Sequence, residues 1–271
     1  MNRWVYVHNL DPVLFSLGPL RIGWYGLMYA LSFLIGYALL LRQARRPGAV
    51  IPEAEVPNVV TYIILGVVLG GRLGWVLFYG GAEYWEEPWR VIETWKGGMS
   101  FHGGLIGVTL AIWLYARRHR LPLLKVGDAL IVYVAIGLFF GRIGNFINGE
   151  LYGKPTDGTW GVVFPGDRLR VPRHPSQLYE AALEGAVITA VLWALRGVRR
   201  DGLQPAVFLL LYGLFRTAVE FVRLPDADIG YLWRGFVTMG MVLSVPMALA
   251  GLLWTVIALR RPAGAARSKK R

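Results

Sequence analysis

The chain has 271 residues and a formal net charge of +12, from 29 lysines and arginines against 17 aspartates and glutamates. Hydrophobic residues make up 55% of it, above the roughly 45–50% of an average soluble protein. The lack of cysteine excludes disulfide bonds, thiolate metal sites and a cysteine nucleophile of the chain's own.

The charges leave long apolar stretches between them. About 20 residues of helix span the hydrocarbon core of a bilayer. Five stretches are long and apolar enough, at 22–41, 59–82, 99–116, 129–149 and 235–259. Two weaker candidates, at 178–195 and 202–222, carry acidic residues. The sequence therefore predicts an all-α, polytopic integral membrane protein with about seven transmembrane helices.

The distribution of basic residues predicts an orientation for these helices. If the N-terminus faces outward, 16 of the 29 cations fall in cytoplasmic segments and nine in outward segments. The C-terminus is then cytoplasmic. In this arrangement the basic excess serves mainly to attract the chain to the inner leaflet, so a nucleic-acid partner is not expected.

The chain is expected to form one transmembrane domain over residues 1–260, followed by a basic cytoplasmic tail at 261–271. The outward segment 149–175 is rich in glycine and proline, and it includes a β-like run at 160–164. Loops of this length usually have a function or a fold of their own. We therefore expect a small extracytoplasmic head insertion there.

Glycines recur at every fourth position in two of the predicted spans. They are Gly66, Gly70 and Gly74 in one span and Gly103 and Gly107 in another. In membranes this spacing lets two helix backbones approach closely. The pattern therefore favours a structural role in helix packing.

Three arginines, Arg72, Arg142 and Arg216, lie inside predicted spans, where each costs about 2.5–3.5 kcal/mol on insertion scales. Such residues usually face a cavity or a partner. Structural alternatives remain, because Arg142 could snorkel to the outer surface and Arg216 could be neutralised by Glu220 four residues later.

Taken together, the polar residues of these spans indicate an anion site. Arg216, Glu220 and Arg223 form one stripe of a helix, and Arg142 lies three residues before Asn145. Guanidinium groups suit phosphate because their planar fork donates paired hydrogen bonds. The sequence thus predicts a phospholipid head-group cavity near the outer leaflet.

The sequence contains none of the metalloprotease, serine-hydrolase or paired-aspartate motifs, and four histidines are too few for a multi-histidine metal site. No metal or cofactor is therefore expected. If the chain is an enzyme, His102 is its natural base, because imidazole accepts protons near neutrality. The alternative is a helix-terminal histidine that satisfies a backbone group.

These residues lie in motifs that resemble signatures of the bacterial phosphatidylglycerol–prolipoprotein diacylglyceryl transferase family. The block GRIGNFINGELYG at 141–153 is the most specific of them, and SFHGGLIG spans 100–107. Further matches, in the family's order, lie at 11–13, 24–29, 174–180, 212–216 and 219–221. The resemblance extends from about residue 11 to residue 251.

The resemblance implies a reaction and its partners. The family transfers the sn-1,2-diacylglyceryl group of phosphatidylglycerol to the lipobox cysteine thiol in the signal peptide of a prolipoprotein. A thioether forms and glycerol phosphate is released, which is the first step of lipoprotein maturation. The implied location is the bacterial cytoplasmic (inner) membrane. The reacting thiol would arrive on the substrate, which agrees with a chain that has none.

The resemblance also implies roles for single residues. Arg142 and Arg216 would hold the phosphate and stabilise the departing glycerol phosphate. His102 would deprotonate the thiol or instead orient the substrate. Glu220 would be catalytic and would, with Glu150, orient the arginines.

The remaining implied contacts are to the lipid. Tyr25 and Asn145 would hydrogen-bond its head group or ester region, and Gly153 would permit a backbone turn that a side chain blocks. Arg72 is a further candidate contact. The 174–180 motif reads as a helix start, with Ser176 as its N-cap.

Other functions fit the residues alone. A membrane lipid transporter or flippase would also need an arginine-lined head-group cavity, although it would more often show repeat symmetry or broken helices. A non-catalytic lipid-binding factor would tolerate replacement of His102 and Arg216 better than an enzyme would. A different lipid transferase is excluded only by the signature block.

Overall fold

The computed structural model describes residues 4–18, 20–80, 83–94, 97–225 and 230–261. Within these ranges the helices are α1 Trp24–Ala44, α2 Val56–Tyr79, α3 Glu83–Glu86, α4 Phe101–Arg118, α5 Leu123–Asn148, α6 Ser176–Glu180, α7 Ile188–Leu195, α8 Leu203–Glu220 and α9 Met239–Arg260. The strands are β1 Trp4–Val7, β2 Val13–Leu17, β3 Leu20–Gly23, β4 Trp160–Val163, β5 Tyr231–Trp233 and β6 Val237–Thr238. The predicted tail lies outside the described residues after Arg261.

Helices occur at all seven predicted positions. Among the described residues, five are long and apolar enough to cross a bilayer, namely Trp24–Ala44, Glu53–Phe78, Leu123–Asn148, Ser176–Leu195 and Met239–Arg260. The other two are α4 and α8, of 18 residues each, whose charged side chains lower their mean hydropathy. The prediction of a mainly helical membrane protein is therefore confirmed in this coarser form.

The fold is not purely α-helical, because three two-stranded sheets accompany the helices in the part of the chain that the structure describes. Strand β1 pairs in parallel with β4, β2 pairs with β3, and β5 pairs with β6. Backbone groups outside helices need hydrogen-bond partners of their own, and these short ladders supply them. The β-like run predicted at 160–164 is confirmed as β4.

The chain divides into two compact units. The larger unit comprises residues 1–36 and 130–271, and the smaller unit comprises Tyr37–Ala129. In the larger unit, buried side chains of α5, α7 and α8 pack together, and they are Val132, Ala135, Ile188, Leu192 and Phe208. This apolar core holds α5 and α8 beside each other, and both carry charged residues of the candidate site.

In the smaller unit, α2 and α4 pack through their glycines. A Cβ atom at Gly66 would lie 2.7 Å from the Gly107 carbonyl oxygen, and one at Gly74 would lie 2.6 Å from the Gly103 Cα. Real side chains do not fit at such distances. The prediction that this glycine spacing serves close helix packing is therefore confirmed.

Replacing Gly66 with alanine is expected to destabilise the smaller unit, because the added methyl group would press on the backbone of α4. Overpacking of this kind costs about 1–3 kcal/mol. We expect a lower apparent unfolding temperature in detergent than for Gly137→Ala, where the new Cβ would meet nothing within 4 Å. Equal unfolding temperatures for the two variants would contradict the close-packing interpretation.

The segment 149–175 is folded in the larger unit around a buried ion pair. The Nε and Nη2 atoms of Arg173 donate hydrogen bonds of 2.6 and 2.7 Å to the two carboxylate oxygens of Asp167. These bonds hold the pKa of Asp167 below its ordinary value. The Arg173 backbone also bridges to Val162 of β4. The ion pair and the bridge thus give the predicted head insertion a small core of its own.

Candidate functional site

The larger unit contains a buried group of six charged residues, here called the arginine–glutamate cluster. Its members come from α5, α6, the π-helical turn Ala181–Val187, α8 and the residues just after α8. They are Arg142, Glu180, Glu184, Arg216, Glu220 and Arg223. Three positive and three negative formal charges therefore face one another inside the larger unit.

Glu180 is the centre of this cluster and is fully buried. Its Oε1 accepts a hydrogen bond of 2.7 Å from Arg216 Nη1 and lies 3.6 Å from Arg223 Nε. Its Oε2 lies 3.1 Å from Arg142 Nε, an ion-pair contact outside hydrogen-bond geometry. One carboxylate thus holds three guanidinium groups together.

Glu184 is also fully buried but is held less firmly. Its Oε2 lies 3.5 Å from Arg142 Nη2, and neither carboxylate oxygen has a hydrogen-bond partner among the described residues. It lies within the π-helical turn, a rare element that is frequent at functional sites. The turn packs closely on α5, since a Cβ at Gly185 would lie 2.6 Å from Phe139 Cβ.

Glu220 is the third carboxylate of the cluster, and it is 1% exposed. Its Oε1 lies 2.6 Å from Arg216 Nη2 and accepts a hydrogen bond of 3.4 Å from Arg223 Nη1. Its Oε2 accepts a hydrogen bond of 2.6 Å from the Thr238 hydroxyl. The two terminal nitrogens of Arg216 are therefore held by two different carboxylates, which fixes the plane of its guanidinium group.

The arginines, and not the carboxylates, are accessible to a ligand. The side chains of Arg142 and Arg216 are 18% and 12% exposed, whereas those of Glu180 and Glu184 are fully buried. An approaching molecule would therefore meet guanidinium donors backed by negative charge. Such fixed donors suit a phosphate group, whose oxygens accept paired hydrogen bonds.

A second polar group lies in the same unit, at the start of α1 and the end of α5. The Asn145 amide nitrogen donates a hydrogen bond of 2.8 Å to Glu150 Oε1, and the Tyr25 hydroxyl contacts Asn145 and Tyr29. The Tyr25 ring covers Gly144, where a Cβ would lie 2.8 Å from ring carbon Cδ2. The structure thus brings together three predicted lipid contacts, namely Tyr25, Asn145 and Glu150.

Glu150 was expected to orient the arginines, but its Oε1 accepts hydrogen bonds from the amides of Asn145 and Asn148. The arginines are held by Glu180, Glu184 and Glu220 instead. The reason is geometric, because Glu150 follows the end of α5 and reaches back to the last turn of that helix.

Gly153 and Ser176 are placed by close approaches that the sequence does not reveal. A Cβ at Gly153 would lie 2.5 Å from the Val222 carbonyl oxygen, so the glycine permits contact between two segments and not the predicted turn. The prediction of Ser176 as an N-cap is wrong, because Pro175 holds that position. The Ser176 hydroxyl instead donates a hydrogen bond of 3.0 Å to the Leu151 carbonyl.

The smaller unit contains Arg72 and His102. Arg72 is 5% exposed and donates hydrogen bonds to the carbonyl oxygens of Arg90, Val91, Gly97 and Gly98, at 2.6, 2.8, 2.7 and 3.1 Å. The N–H donors of Arg72, which were expected to bind the lipid, are therefore engaged by backbone carbonyls.

His102 lies in the first turn of α4, and its side chain is exposed. The Ser100 hydroxyl caps this turn by accepting a hydrogen bond of 3.2 Å from the Gly103 N–H.

Glu180 and Glu184 are the residues of the candidate site that sequence reasoning missed. Both were counted as charges that weaken the predicted span at 178–195, and Glu180 was also the last residue of the 174–180 motif, but neither was assigned a role in the site. A signal was present, since two carboxylates four residues apart in an otherwise uncharged span occupy one helical face. Arginines in two other spans required such counter-charges.

Comparison with known proteins gives consistent matches over almost the whole chain. A family model described as prolipoprotein diacylglyceryl transferase matches residues 12–257. A protein of Nitratidesulfovibrio vulgaris (strain DP4) is 52% identical over 257 residues, which cover 94% of this chain and 95% of the relative.

Two further relatives give the same result. A protein of Solidesulfovibrio magneticus is 49% identical over 261 residues, covering 95% of this chain and 98% of its own. One of Pseudomonas aeruginosa (strain LESB58) is 48% identical over 256 residues, covering 94% and 96%. All three relatives bear the name phosphatidylglycerol–prolipoprotein diacylglyceryl transferase.

Proposed function

The chain belongs to the prolipoprotein diacylglyceryl transferase family, and on that premise we propose that its arginine–glutamate cluster binds the phosphate of phosphatidylglycerol. The chain is an enzyme that transfers the diacylglyceryl group of this lipid to a prolipoprotein. The acceptor is the thiol of the lipobox cysteine, and the products are a thioether and glycerol phosphate.

The observation that carries this assignment is the exposure pattern within the cluster. Arg142 and Arg216 present guanidinium groups that are partly exposed, on membrane-spanning helices, while the carboxylates that hold them are buried. A phosphodiester carries one negative charge and oxygens that accept hydrogen bonds. It can therefore bind the exposed parts of both guanidinium groups without displacing the buried carboxylates.

The chemical step is a displacement at carbon. The cysteine sulfur attacks the glycerol carbon that bears the phosphate ester, forming a C–S bond while the C–O bond breaks. Both electrons of that bond go to the phosphate oxygen, so negative charge grows on the departing glycerol phosphate. Arg142 and Arg216 stabilise this charge, because their donors are already held where it develops.

His102 is assigned to the proton of the incoming thiol. A thiol is mostly protonated at neutral pH, and the thiolate is the nucleophile. The proton that the thiol loses in the displacement is transferred to the imidazole of His102. His102 is an exposed residue in the first turn of α4.

The other residues of the candidate site have supporting roles. Tyr25 and Asn145 bind the head group or ester region, and Glu150 fixes Asn145 through its hydrogen bond. Gly153 allows the head insertion to approach Val222. Arg72 is assigned to holding the loop that precedes α4, because four backbone carbonyls accept its hydrogen bonds.

The helices and charges of the chain support an arrangement in the bacterial inner membrane. We assign seven crossings to a single catalytic domain at 1–260, with the N-terminus outside and the basic tail at 261–271 in the cytoplasm. The 16 cations in the segments then assigned to the cytoplasm support this orientation.

The activity is tested with purified protein in detergent. Phosphatidylglycerol and a peptide that contains a lipobox cysteine are supplied, and thioether product and glycerol phosphate are measured. Equimolar formation of both is expected. If neither product forms over a range of lipid compositions and pH values, the assignment of this activity is wrong.

The proton role of His102 is tested with His102→Gln. A residue that takes the thiol proton helps to set how activity depends on pH, and we expect the variant to lose most of the turnover and to show a pH profile of different shape. Transfer is measured from pH 5 to pH 9. A pH profile that keeps its shape would contradict the base role and leave the phosphate site unaffected.

A further inference from the structure

The first turn of α9 encloses the carboxylate of Glu220. The Thr238 hydroxyl donates a hydrogen bond of 2.6 Å to Glu220 Oε2, and both residues are almost fully buried. A Cβ atom at Gly240 would lie 2.5 Å from Glu220 Oε1 and 2.6 Å from its Cδ. The carboxylate therefore rests directly on the backbone of α9.

Thr238 has two functions in this contact. While its hydroxyl donates to Glu220, the same oxygen accepts a hydrogen bond of 3.2 Å from the Met241 N–H and so caps α9. A hydroxyl group can do both, because it has one donor and two acceptor lone pairs. The orientation of the Glu220 carboxylate is thus coupled to the start of a 22-residue helix.

The carboxylate needs such a constraint. The terminal torsion of a glutamate is broad, so the side chain does not fix the plane of its own carboxylate. One oxygen of Glu220 contacts Arg216 and Arg223, and the other receives only the Thr238 bond among the hydrogen bonds described. Losing that bond frees the carboxylate to rotate and to turn the Arg216 guanidinium with it.

We propose that Thr238 and Gly240 are positioning residues of the transfer reaction, which hold Glu220 so that it fixes the Arg216 guanidinium. The inference rests on the proposed function and extends it to the start of α9. Thr238 acts through a hydrogen bond and Gly240 through the space that its missing side chain leaves. Neither residue touches the substrate.

The first test compares replacements of Thr238. Thr238→Val keeps the shape and loses the hydroxyl, and it is expected to lower kcat about tenfold to one-hundredfold, the effect of losing a hydrogen bond to a charged group. Thr238→Ser keeps the hydroxyl and should restore kcat to within about twofold of the unmodified protein. The matched control is Thr217→Val, which removes a hydroxyl bonded to the Gly213 carbonyl.

The second test uses the space at Gly240. Gly240→Ala is expected to lower kcat because its methyl group displaces the Glu220 carboxylate. Shortening that side chain by one methylene in the double variant Gly240→Ala/Glu220→Asp makes room for the methyl group. The double variant should therefore be more active than the product of the two single effects predicts. Gly137→Ala, which has nothing within 4 Å of its new Cβ, is the control.

Both tests separate positioning from stability. The apparent unfolding temperature and the KM for the peptide are measured beside kcat. In Thr238→Val and Gly240→Ala we expect kcat to fall further than the loss of stability explains. In Thr238→Ser we expect kcat to be restored. The inference is overturned if Thr238→Val keeps full kcat, or if Thr238→Ser loses as much kcat as Thr238→Val. It is also overturned if the kcat of the double variant equals the product of the separate effects of Gly240→Ala and Glu220→Asp. Failure of the unmodified protein to form thioether would instead overturn the proposed function itself.

Discussion

Arg142→Ala and Arg216→Ala are each expected to lower kcat/KM for diacylglyceryl transfer by about 10²–10³, the typical effect of removing one donor from a developing negative charge. Both guanidinium groups are partly exposed, and buried carboxylates hold them in place before any lipid arrives. The charge on glycerol phosphate grows as the C–O bond breaks, so the loss should appear mainly in kcat. Initial rates at varied phosphatidylglycerol concentrations measure it.

Two controls define this result. Arg90→Ala removes an arginine that pairs with Glu87 in the smaller unit, and it should leave kcat/KM within about threefold, as surface ion pairs are worth little. Arg216→Lys keeps the charge but cannot contact two carboxylates with a planar group, and it should stay well below the unmodified enzyme. Equal losses in Arg90→Ala and Arg142→Ala would indicate a general folding effect and contradict the phosphate assignment.

Glu180→Gln is expected to cause a far larger loss of stability than Glu184→Gln. The two residues lie four apart in one span, both fully buried, and both changes keep the side-chain volume. Glu180 contacts three arginines, whereas Glu184 contacts one at 3.5 Å among the ion pairs described. Removing one partner of a buried ion pair costs about 3–5 kcal/mol, and this cost applies in full to Glu180.

The pair is measured by thermal unfolding in detergent and by transfer kinetics. Glu180→Gln should lower the apparent unfolding temperature and also lower kcat/KM, by about tenfold or more beyond Glu184→Gln, since three guanidinium groups lose their common anchor. If Glu180→Gln and Glu184→Gln lower the unfolding temperature and kcat/KM equally, the central position assigned to Glu180 is wrong.

Much of the fold was predictable because bilayer crossing constrains composition strongly. The uncharged stretches at 22–41 and 235–259 correspond to α1 and α9. The glycine spacing at Gly66, Gly70 and Gly74 predicted the α2–α4 packing, because only glycine allows that approach. The small sheets were not predictable as pairs, since β1 and β4 are more than 150 residues apart and register depends on tertiary contacts.

The candidate site was predictable only in part. The stripe of Arg216, Glu220 and Arg223 follows from helical spacing, so its members were expected to lie together. Glu180 is 36 residues from Arg216 and lies on another element, and no local pattern reports such a pairing. The hydrogen bonds from Arg72 to loop carbonyls could not be predicted either, because the acceptors are 18 to 26 residues away in the sequence.

The distribution of the cluster over separate helices has a consequence for biogenesis. The apolar part of α5 brings Arg142 without a counter-charge, and Ser176–Leu195 brings two carboxylates without a cation. Each lone charge costs about 2.5–3.5 kcal/mol in an isolated inserted helix, and these costs are relieved only when the helices meet. The charges of the arginine–glutamate cluster therefore draw the newly inserted segments together, so the cluster forms in the same event that packs these helices against one another.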